Sequence, residues 1–557
     1  MATYAAGTVV EHASHIGSAS TAITAVVGLS VLLTMQQLAA IAVAPLREAV
    51  ARSIDGRFRR QVAEISLTPT GITHLENPAL ANQFALASRD LDQFTPGNAA
   101  TAQVSVICQA VSAAACVVII SSHSLLGAAV IAVLALTRRM VVQRLFVGLN
   151  WVKIRAASAA RQFRYWQDFA GGAEAGKEIR VFGLQHWVVA KFRTAMLSYL
   201  RGIWRARIPV VLRTWIPLLF GIALAATGFI TLLPRHGAAD AQTVVQGTTA
   251  LIAVLAASST TWEDFEVAHG RPMIDAAQEL HQRLKPTASS AAAGPTMRAA
   301  APPAITFESV DFHYPEHDTP VLNGLNIDIK PGEVLAIVGV NGAGKTTITK
   351  LLARLYEPVA GRITADGIDI QDLAPEAWRR RLAVVVQGFL RYDLSVRENV
   401  TLGAPEHHGD REFFASVADT LDLNDIVAPL PQGWDTVLSR GRSGGSELSG
   451  GQWQRIAIAR ALFALRAGRT VLVLDEPTAH LDAEAEFDVF RKVVEAARGA
   501  SVLLISHRLS TVRLADRIAV IRDGKVSEIG THEDLVRSGA DYARMFATQA
   551  RQFLETS

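Results

Sequence analysis

The sequence predicts a multidomain membrane protein in which an all-α transmembrane bundle precedes an α/β domain. Of its 557 residues, 50% are hydrophobic and 19% are charged, whereas about a quarter of the residues in a soluble protein are charged. Long uncharged apolar runs are confined to the first half of the chain. The second half alternates β-branched runs with amphipathic stretches, which is typical of a mostly parallel sheet covered by helices. This pattern argues against a wholly cytosolic enzyme and against a disordered chain.

Five apolar runs are candidate membrane spans. They cover residues 20–44, 103–121, 124–137, 214–233 and 242–262. Because a helix needs about 20 residues to cross a bilayer, the third run suffices only if Arg138 and Arg139 extend their charged groups to the interface. The alternative, a large soluble core of buried helices, is disfavoured by the repetition of uncharged runs of this length.

The distribution of basic residues predicts the orientation of the spans. Segments 46–102 and 138–207 are rich in arginine, so the positive-inside rule places both in the cytoplasm. The first 20 residues contain no lysine or arginine and are expected outside. With five spans, everything after residue 262 is then cytoplasmic, which makes this a multi-pass protein of the cytoplasmic membrane.

Each cytoplasmic segment contains a break followed by a short helix. Asn77-Pro78 predicts one helix start, because asparagine is a good N-cap and proline is favoured at the first helical position. Gly171-Gly172 precedes the second short helix. These helices either dock on another domain or are ordinary connections between longer helices.

Changes in composition divide the chain into four parts. We expect a transmembrane domain over 1–284, a Pro-, Ala- and Ser-rich linker over 285–304, an α/β domain over 305–545 and a C-terminal tail over 546–557. The net charge is only +3 and the sequence has no basic stripe, so no nucleic-acid partner is expected. Cys108 and Cys116 lie within an apolar run and are interpreted as small core residues.

A glycine-rich loop after the strand VLAIVGV predicts a phosphate-binding site. It matches G-x-x-x-x-G-K-[ST] between a strand and a helix, where backbone N–H groups converge on phosphate oxygens. Lys345 supplies positive charge, and the Thr346 hydroxyl is a ligand for Mg²⁺. The residues assigned to binding of ATP or GTP here are Gly339, Asn341, Gly342, Ala343, Gly344, Lys345, Thr346 and Thr347.

A second motif ends the apolar strand VLVLD with two adjacent carboxylates. Asp475 is a candidate Mg²⁺ ligand, and Glu476 is a candidate general base for the attacking water. An Asp-Glu pair alone is often only a polar strand end. Its combination with the phosphate loop predicts nucleotide hydrolysis by an α/β P-loop NTPase domain.

The turn between these motifs carries a resemblance to a known family. Ser449, Gly450, Gly451 and Gln452 follow Leu448 and precede a helix, so they form a second surface suited to phosphate. The sequence L-S-G-G-Q at this place resembles the signature of the ATP-binding cassette (ABC) family. Trp453, directly after it, departs from the smaller or polar residue usual there, and we expect its side chain to face outward.

The resemblance extends to four further residues in the order typical of that family. It implies that Tyr314 stacks on adenine, that Asp482 belongs to a loop crossing to a partner, and that His507 contacts the γ-phosphate. Gln387 is assigned both to the catalytic group and to the Mg²⁺ ligands. Each could be an ordinary surface or loop residue if it stood alone, but their joint occurrence makes the assignment specific.

The first half resembles the membrane part of exporter-type ABC half-transporters. That resemblance implies a homodimer or heterodimer with a second half-transporter, two ATP molecules sandwiched between subunits, and short coupling helices near 74–81 and 172–183. The expected activity is ATP-driven export of a lipid, drug or peptide, although lipid contact alone explains the apolar walls. The alternatives are an ATP-gated channel or regulator and, less favoured, a soluble ABC ATPase acting on nucleic acid.

Two further expectations concern origin and the start of the chain. The Ala- and Arg-rich composition and the segment THLENPAL resemble those of bacterial, and especially actinobacterial, members of the ABC family. Members of the family have one more span than these five runs provide. We therefore expect either that the natural chain begins upstream of Met1 or that a partner supplies the missing helix.

Overall fold

The computed structural model of the chain describes residues 19–88, 94–155, 157–232, 241–285, 301–315, 317, 319–439, 441–442, 444–476 and 483–555. These residues form two compact units. The first comprises the chain up to Ser66 together with Ala79–Leu284, and the second comprises Leu67–Pro78 together with the chain from Lys285 onward. A short segment from the first half thus packs with the second unit, although the sequence placed it in the domain 1–284.

All the secondary structure described in the first unit is α-helical. Its helices, with the short α2 of the intervening segment, are α1 (Ala19–Leu67), α2 (Thr73–Glu76), α3 (Pro78–Ala87), α4 (Pro96–Ser121), α5 (Leu125–Arg155), α6 (Ala157–Gly171), α7 (Ala173–Val181), α8 (Gln185–Leu212), α9 (Trp215–Leu232), α10 (Ala241–Ala257) and α11 (Trp262–Arg283). The expected short helices begin at Pro78 and Ala173. The N-terminal residues 1–18, on which the expectation about the chain start rests, lie outside the described residues.

Four helical stretches among the described residues are long and apolar enough to cross a membrane. They are Pro96–Ser121, Leu125–Leu145, Gln185–Leu232 and Val244–Arg283. They overlap the last four of the five predicted runs, and Leu125–Leu145, with 21 residues, is longer than the predicted run 124–137. The first run, 20–44, lies in α1, where many side chains are outside the description. The presence of five membrane spans therefore stays a prediction.

Arg138 and Arg139 on α5 bond to neighbouring helices. The Arg138 guanidinium donates to the carbonyls of Pro217 (3.3 Å) and Leu255 (3.0 Å) and to the Ser258 hydroxyl (2.5 Å). Arg139 donates to the Ala257 carbonyl (2.8 Å) and to Asp264 (2.9 Å). The expectation that these side chains extend to the membrane interface stays a prediction. They satisfy the carbonyls at the C-terminal end of α10, where the helix has no partners of its own.

The second unit is built on two sheets. Its strands are β1 (Ile305–Phe312), β2 (Leu322–Ile329), β3 (Val334–Gly339), β4 (Ala360–Ala365), β5 (Ile368–Asp369), β6 (Leu382–Val385), β7 (Val471–Asp475), β8 (Ser501–Ile505), β9 (Arg517–Arg522) and β10 (Lys525–Gly530). The larger sheet has the order β10-β9-β3-β8-β7-β6, with β3, β6, β7, β8 and β9 parallel. The smaller sheet, β2-β1-β4-β5, is antiparallel.

Helices complete the second unit and enclose its core. They are α12 (Lys345–Leu352), α13 (Pro375–Arg379), α14 (Val396–Thr401), α15 (Arg411–Thr420), α16 (Leu423–Val427), α17 (Gly450–Arg466), α18 (Ala483–Ala496), α19 (Leu509–Val512), α20 (His532–Ser538) and α21 (Asp541–Glu555). The boundary drawn between residues 545 and 546 falls within α21. The parallel strands are buried on both faces, which explains why they read as continuous apolar runs.

Trp453 is packed inside the second unit. Its side chain is only 2% exposed and belongs to a core cluster with Leu448 and Ile456. The expectation that it faces outward was wrong. Trp453 is the fourth residue of α17 and faces the core. Its large indole fills space there that a smaller side chain would leave empty.

Candidate active site

The phosphate loop lies between β3 and α12, at the carboxyl end of the sheet. Gly342 and Gly344 have φ values of +83° and +96°, which only glycine adopts without strain. A Cβ on Gly344 would also lie 2.7 Å from Leu322 Cδ2. Glycine is therefore needed at this position both for the turn and for its close packing. The loop ends at the N-terminus of α12, which favours bound anions.

Lys345 begins α12, and its side chain turns back over the loop. The ammonium group donates to the carbonyls of Gly339 (2.9 Å) and Val340 (3.0 Å) and is buried. Burial lowers the pKa of Lys345, whereas the nearby carboxylates of Glu476 and Asp475 raise it and so oppose this effect. A buried cation of this kind gains more from an incoming phosphate than a solvated one does, because water screens it less.

Thr346 and Asp475 form a site whose donors suit Mg²⁺. The Thr346 hydroxyl donates to Asp475 Oδ1 at 3.3 Å, and Asp475 Oδ2 is buried with no hydrogen-bond partner among the described residues. Burial, with a smaller contribution from Glu476, raises the pKa of Asp475 to about 6. A divalent cation with oxygen ligands would satisfy the free oxygen and favour the charged carboxylate. The residues present therefore fit the predicted metal.

Glu476 is held from two sides. Gln387 Nε2 donates to its Oε2 at 2.8 Å, and His507 Nδ1 lies 3.4 Å from its Oε1. The backbone of Glu476 adopts φ of +46°, an unfavourable value for a residue with a Cβ, and its N–H donates to the Ile505 carbonyl at 3.0 Å. The structure thus brings together three residues that are far apart in the sequence and fixes the orientation of the carboxylate.

Tyr314 lies beside the phosphate-loop helix. Its hydroxyl is 3.1 Å from the Thr347 hydroxyl, and its ring meets Phe312 and Tyr356 edge to face. The ring remains half-exposed. These two contacts restrict the ring, and its exposed part is available to a stacked base.

The signature turn forms the N-terminus of α17. Ser449 is the N-cap: its hydroxyl accepts from Gln452 N (3.3 Å), and Gln452 Oε1 accepts from Ser449 N (2.8 Å). This reciprocal arrangement leaves the N–H groups of Gly450 and Gly451 at an accessible helix end. Among the described residues, no hydrogen bond or ion pair joins this turn to the phosphate loop.

Asp482 and the loop 477–482 lie outside the described residues, so the predicted crossing loop stays a prediction. The structure adds other residues that the sequence did not single out. Gln549 on α21 donates to the His507 carbonyl at 2.6 Å, and Arg508 pairs with Glu486, which is 1% exposed. Adjacency to the histidine motif could have pointed to Arg508, but no local pattern indicates Gln549.

Comparisons with known proteins agree with this geometry over the second unit. The family model described as ABC transporter matches residues 322–479. The ABC transporter B family member 28 of Arabidopsis thaliana is 41% identical over 250 residues, 45% of this chain and 34% of that protein. The ATP-dependent lipid A-core flippase of Chromohalobacter salexigens is 39% identical over 248 residues, 44% of this chain and 42% of that protein. The matches thus span less than half of these relatives.

A solved structure extends the likeness to both units. It is described as a bacterial Atm1-family ABC exporter with ATP bound, and it aligns over 99% of this chain and 96% of its own. The TM-score is 0.77 at 23% sequence identity, which shows a shared fold. The prediction of a helical membrane part followed by an ABC ATPase domain is therefore confirmed. Residues 322–479 are thus similar to the ABC transporter family model, and almost the whole chain shares the fold of the solved exporter.

Proposed function

We propose that this protein is a subunit of an ATP-hydrolysing exporter in the cytoplasmic membrane, with its ATPase domain in the cytoplasm. The observation that carries the proposal is the placement of Glu476 between Gln387 and His507, next to the Thr346–Asp475 pair. A carboxylate oriented by an amide and an imidazole is suited to accept a proton from water that attacks a phosphate.

Each residue has a defined task in this reaction. The loop N–H groups and Lys345 bind the phosphates, and Tyr314 stacks on adenine. Glu476 takes the proton of the attacking water, while Gln387 and His507 keep its oxygens in place. Positioning of this kind contributes much of the rate in phosphoryl transfer, because the protein does little covalent chemistry itself.

Mg²⁺ is proposed as the metal, held by the Thr346 hydroxyl and by Asp475, with Gln387 as a further ligand. When bound, it neutralises charge on the phosphate oxygens. The buried free oxygen of Asp475 supports this assignment.

The signature turn supports a dimer, either of two copies or with a second half-transporter. Among the described residues, no hydrogen bond or ion pair joins Ser449 to the phosphate loop of the same chain, whereas its accessible helix end suits the γ-phosphate of a nucleotide on another subunit. We further propose a hydrophobic or amphipathic substrate such as a lipid, drug or peptide. A lipid substrate is compatible with the similarity to a relative named as a lipid A-core flippase.

Concentrative transport tests this function. Inside-out vesicles containing the protein should accumulate a substrate that stimulates its ATPase activity, and accumulation should require ATP and Mg²⁺. The Glu476→Gln variant, inserted at the same density, should accumulate nothing. Movement of the substrate only down its gradient would instead favour an ATP-gated channel, and activity independent of membranes would favour a soluble ABC ATPase.

A further inference from the structure

Lys350 occupies a place between two tyrosine rings that no assigned role explains. It lies on α12, one turn beyond Thr346. Its ammonium group donates to the Tyr314 hydroxyl at 3.2 Å and lies 4.8 Å from the centre of that ring. The same group lies 5.5 Å from the centre of the Tyr356 ring. The cation is therefore shared between the ring proposed to stack on adenine and a second aromatic side chain.

Tyr356 connects this cluster to the segment Leu67–Pro78. Its ring is 4% exposed and meets Tyr314 edge to face, with the centroids 5.4 Å apart. Its hydroxyl donates a hydrogen bond to the Glu76 carboxylate. Burial and this hydrogen bond raise the pKa of Tyr356 well above its ordinary value, so the hydroxyl keeps its proton at physiological pH and continues to donate.

Leu355 and Arg379 hold the segment at two further points. Ile72 N donates to the Leu355 carbonyl at 3.1 Å, and Arg379 donates to the Thr70 carbonyl. Arg379 also binds the carbonyls of Ala353 (3.0 Å) and Arg354 (2.7 Å) at the end of α12. The segment is continuous in sequence with α1 and α3, two helices of the first unit.

We propose that Lys350 and Tyr356 are positioning residues that couple base stacking on Tyr314 to the hydrogen bond between Tyr356 and Glu76. The proposal rests on the assignment of Tyr314 to the adenine site. Contact with a base fixes the Tyr314 ring, and the shared cation then keeps the Tyr356 ring and its hydroxyl in register with the carboxylate. Close-packed side chains transmit small displacements because they have no free space to absorb them. Nucleotide affinity and the Glu76 contact must then affect each other equally.

A double-mutant cycle tests the coupling in the full-length chain in lipid nanodiscs. All variants carry Glu476→Gln so that binding is measured without turnover, and the two probes are ATP and inorganic tripolyphosphate. We expect Glu76→Gln or Tyr356→Phe to weaken ATP binding threefold or more and to leave tripolyphosphate binding unchanged, because the latter has no base. In a Tyr314→Ala background, Glu76→Gln should have no further effect.

Matched controls separate coupling from general damage. Tyr392→Phe and Glu376→Gln make the same chemical changes elsewhere in the second unit and should leave both affinities unchanged. Lys350→Met should remove the dependence of ATP affinity on Glu76, and Lys350→Arg should restore part of it, since the charge remains. Should Lys350→Met fold poorly, Lys350→Gln serves the same purpose.

The outcomes distinguish the inference from the proposed nucleotide site. An unchanged ATP affinity in Tyr314→Ala would contradict both. If Tyr314→Ala weakens ATP binding while the effects of Tyr314 and Glu76 multiply independently, the nucleotide site stands and the coupling is refuted. An equal loss for ATP and tripolyphosphate in Glu76→Gln would also refute it, because the effect would then not pass through the base.

Discussion

At the residue scale, the most informative feature is the strained backbone of Glu476. A non-glycine residue with φ of +46° directly after a buried strand is kept only when its surroundings fix it. Here the Glu476 N–H is bound by the Ile505 carbonyl, and its carboxylate is bound by Gln387. We expect this backbone to help hold the carboxylate in the place from which it acts on water.

Substitution Glu476→Gln should keep ATP binding and lose most hydrolysis. The amide has nearly the same shape but cannot accept the proton of water, and loss of a general base typically lowers a rate about 10² to 10⁴-fold. Steady-state ATPase activity and nucleotide binding of the purified protein measure the two effects. The exposed Glu412→Gln should behave as wild type, whereas wild-type turnover in Glu476→Gln would show that the base is another residue.

Substitution Lys345→Ala should weaken nucleotide binding itself. Its buried ammonium donates to the loop carbonyls of Gly339 and Val340, so its removal leaves the phosphate charge without its buried cation. Equilibrium binding of ATP should therefore weaken at least tenfold. Lys330→Ala, which changes an exposed lysine of the same unit, provides the comparison. Binding of equal strength in both variants would contradict the role of Lys345.

At the element scale, α17 is anchored by Trp453 at the core and capped by Ser449 at its accessible end. Truncation of a fully buried tryptophan typically costs about 3–5 kcal/mol in the free energy of unfolding. Trp453→Ala should therefore lower the urea midpoint of the second unit strongly. Trp434→Ala, which removes a half-buried indole packed on Phe414, should lower it less. Equal losses would mean that burial of Trp453 is not what holds this helix.

The C-terminal helix α21 should loosen at acidic pH. His532 Nδ1 lies 2.8 Å from the hydroxyl of the fully buried Tyr542. Burial, followed by the charge of Arg513, lowers the pKa of His532. The folded state thus disfavours the protonated imidazole, so the stabilisation is present above the ordinary pKa of about 6.5 and is lost as pH falls through the lowered value.

Hydrogen exchange measures this effect directly. After correction for the intrinsic rates, the amides of α21 should exchange faster at pH 5.5 than at pH 7.5. In His532→Phe the ratio between the two pH values should approach one, because the titrating group is gone. A wild-type ratio that does not change with pH would contradict the prediction.

At the scale of the whole molecule, the proposed dimer has composite sites between subunits. Ser449→Arg should abolish turnover but leave ATP binding to the phosphate loop, because the added cation and bulk would lie at the partner's nucleotide. In mixed dimers with Lys345→Ala, one site carries neither defect. Partial recovery of ATPase activity on mixing would support the dimer, and hydrolysis by a verified monomer would refute it.

The sequence by itself determined the order of the parts and most of the chemistry. The phosphate loop, the acidic strand end and the signature are each formed by residues that are adjacent in the chain, so their identity and local backbone are encoded together. Lys345, Asp475 and Ser449 could be assigned for this reason. Apolar runs likewise predicted the membrane helices, because the length of a span is set by the thickness of the bilayer.

Only the tertiary structure decided how distant residues meet. The pairing of Arg138 with carbonyls on two other helices, the burial of Trp453 and the aromatic cluster around Lys350 depend on packing that no local pattern specifies. The clearest case is the hydrogen bond between Tyr356 and Glu76, which are 280 residues apart. Contacts of this kind form only when the chain has folded, because their free energy depends on burial and geometry that separate elements create together.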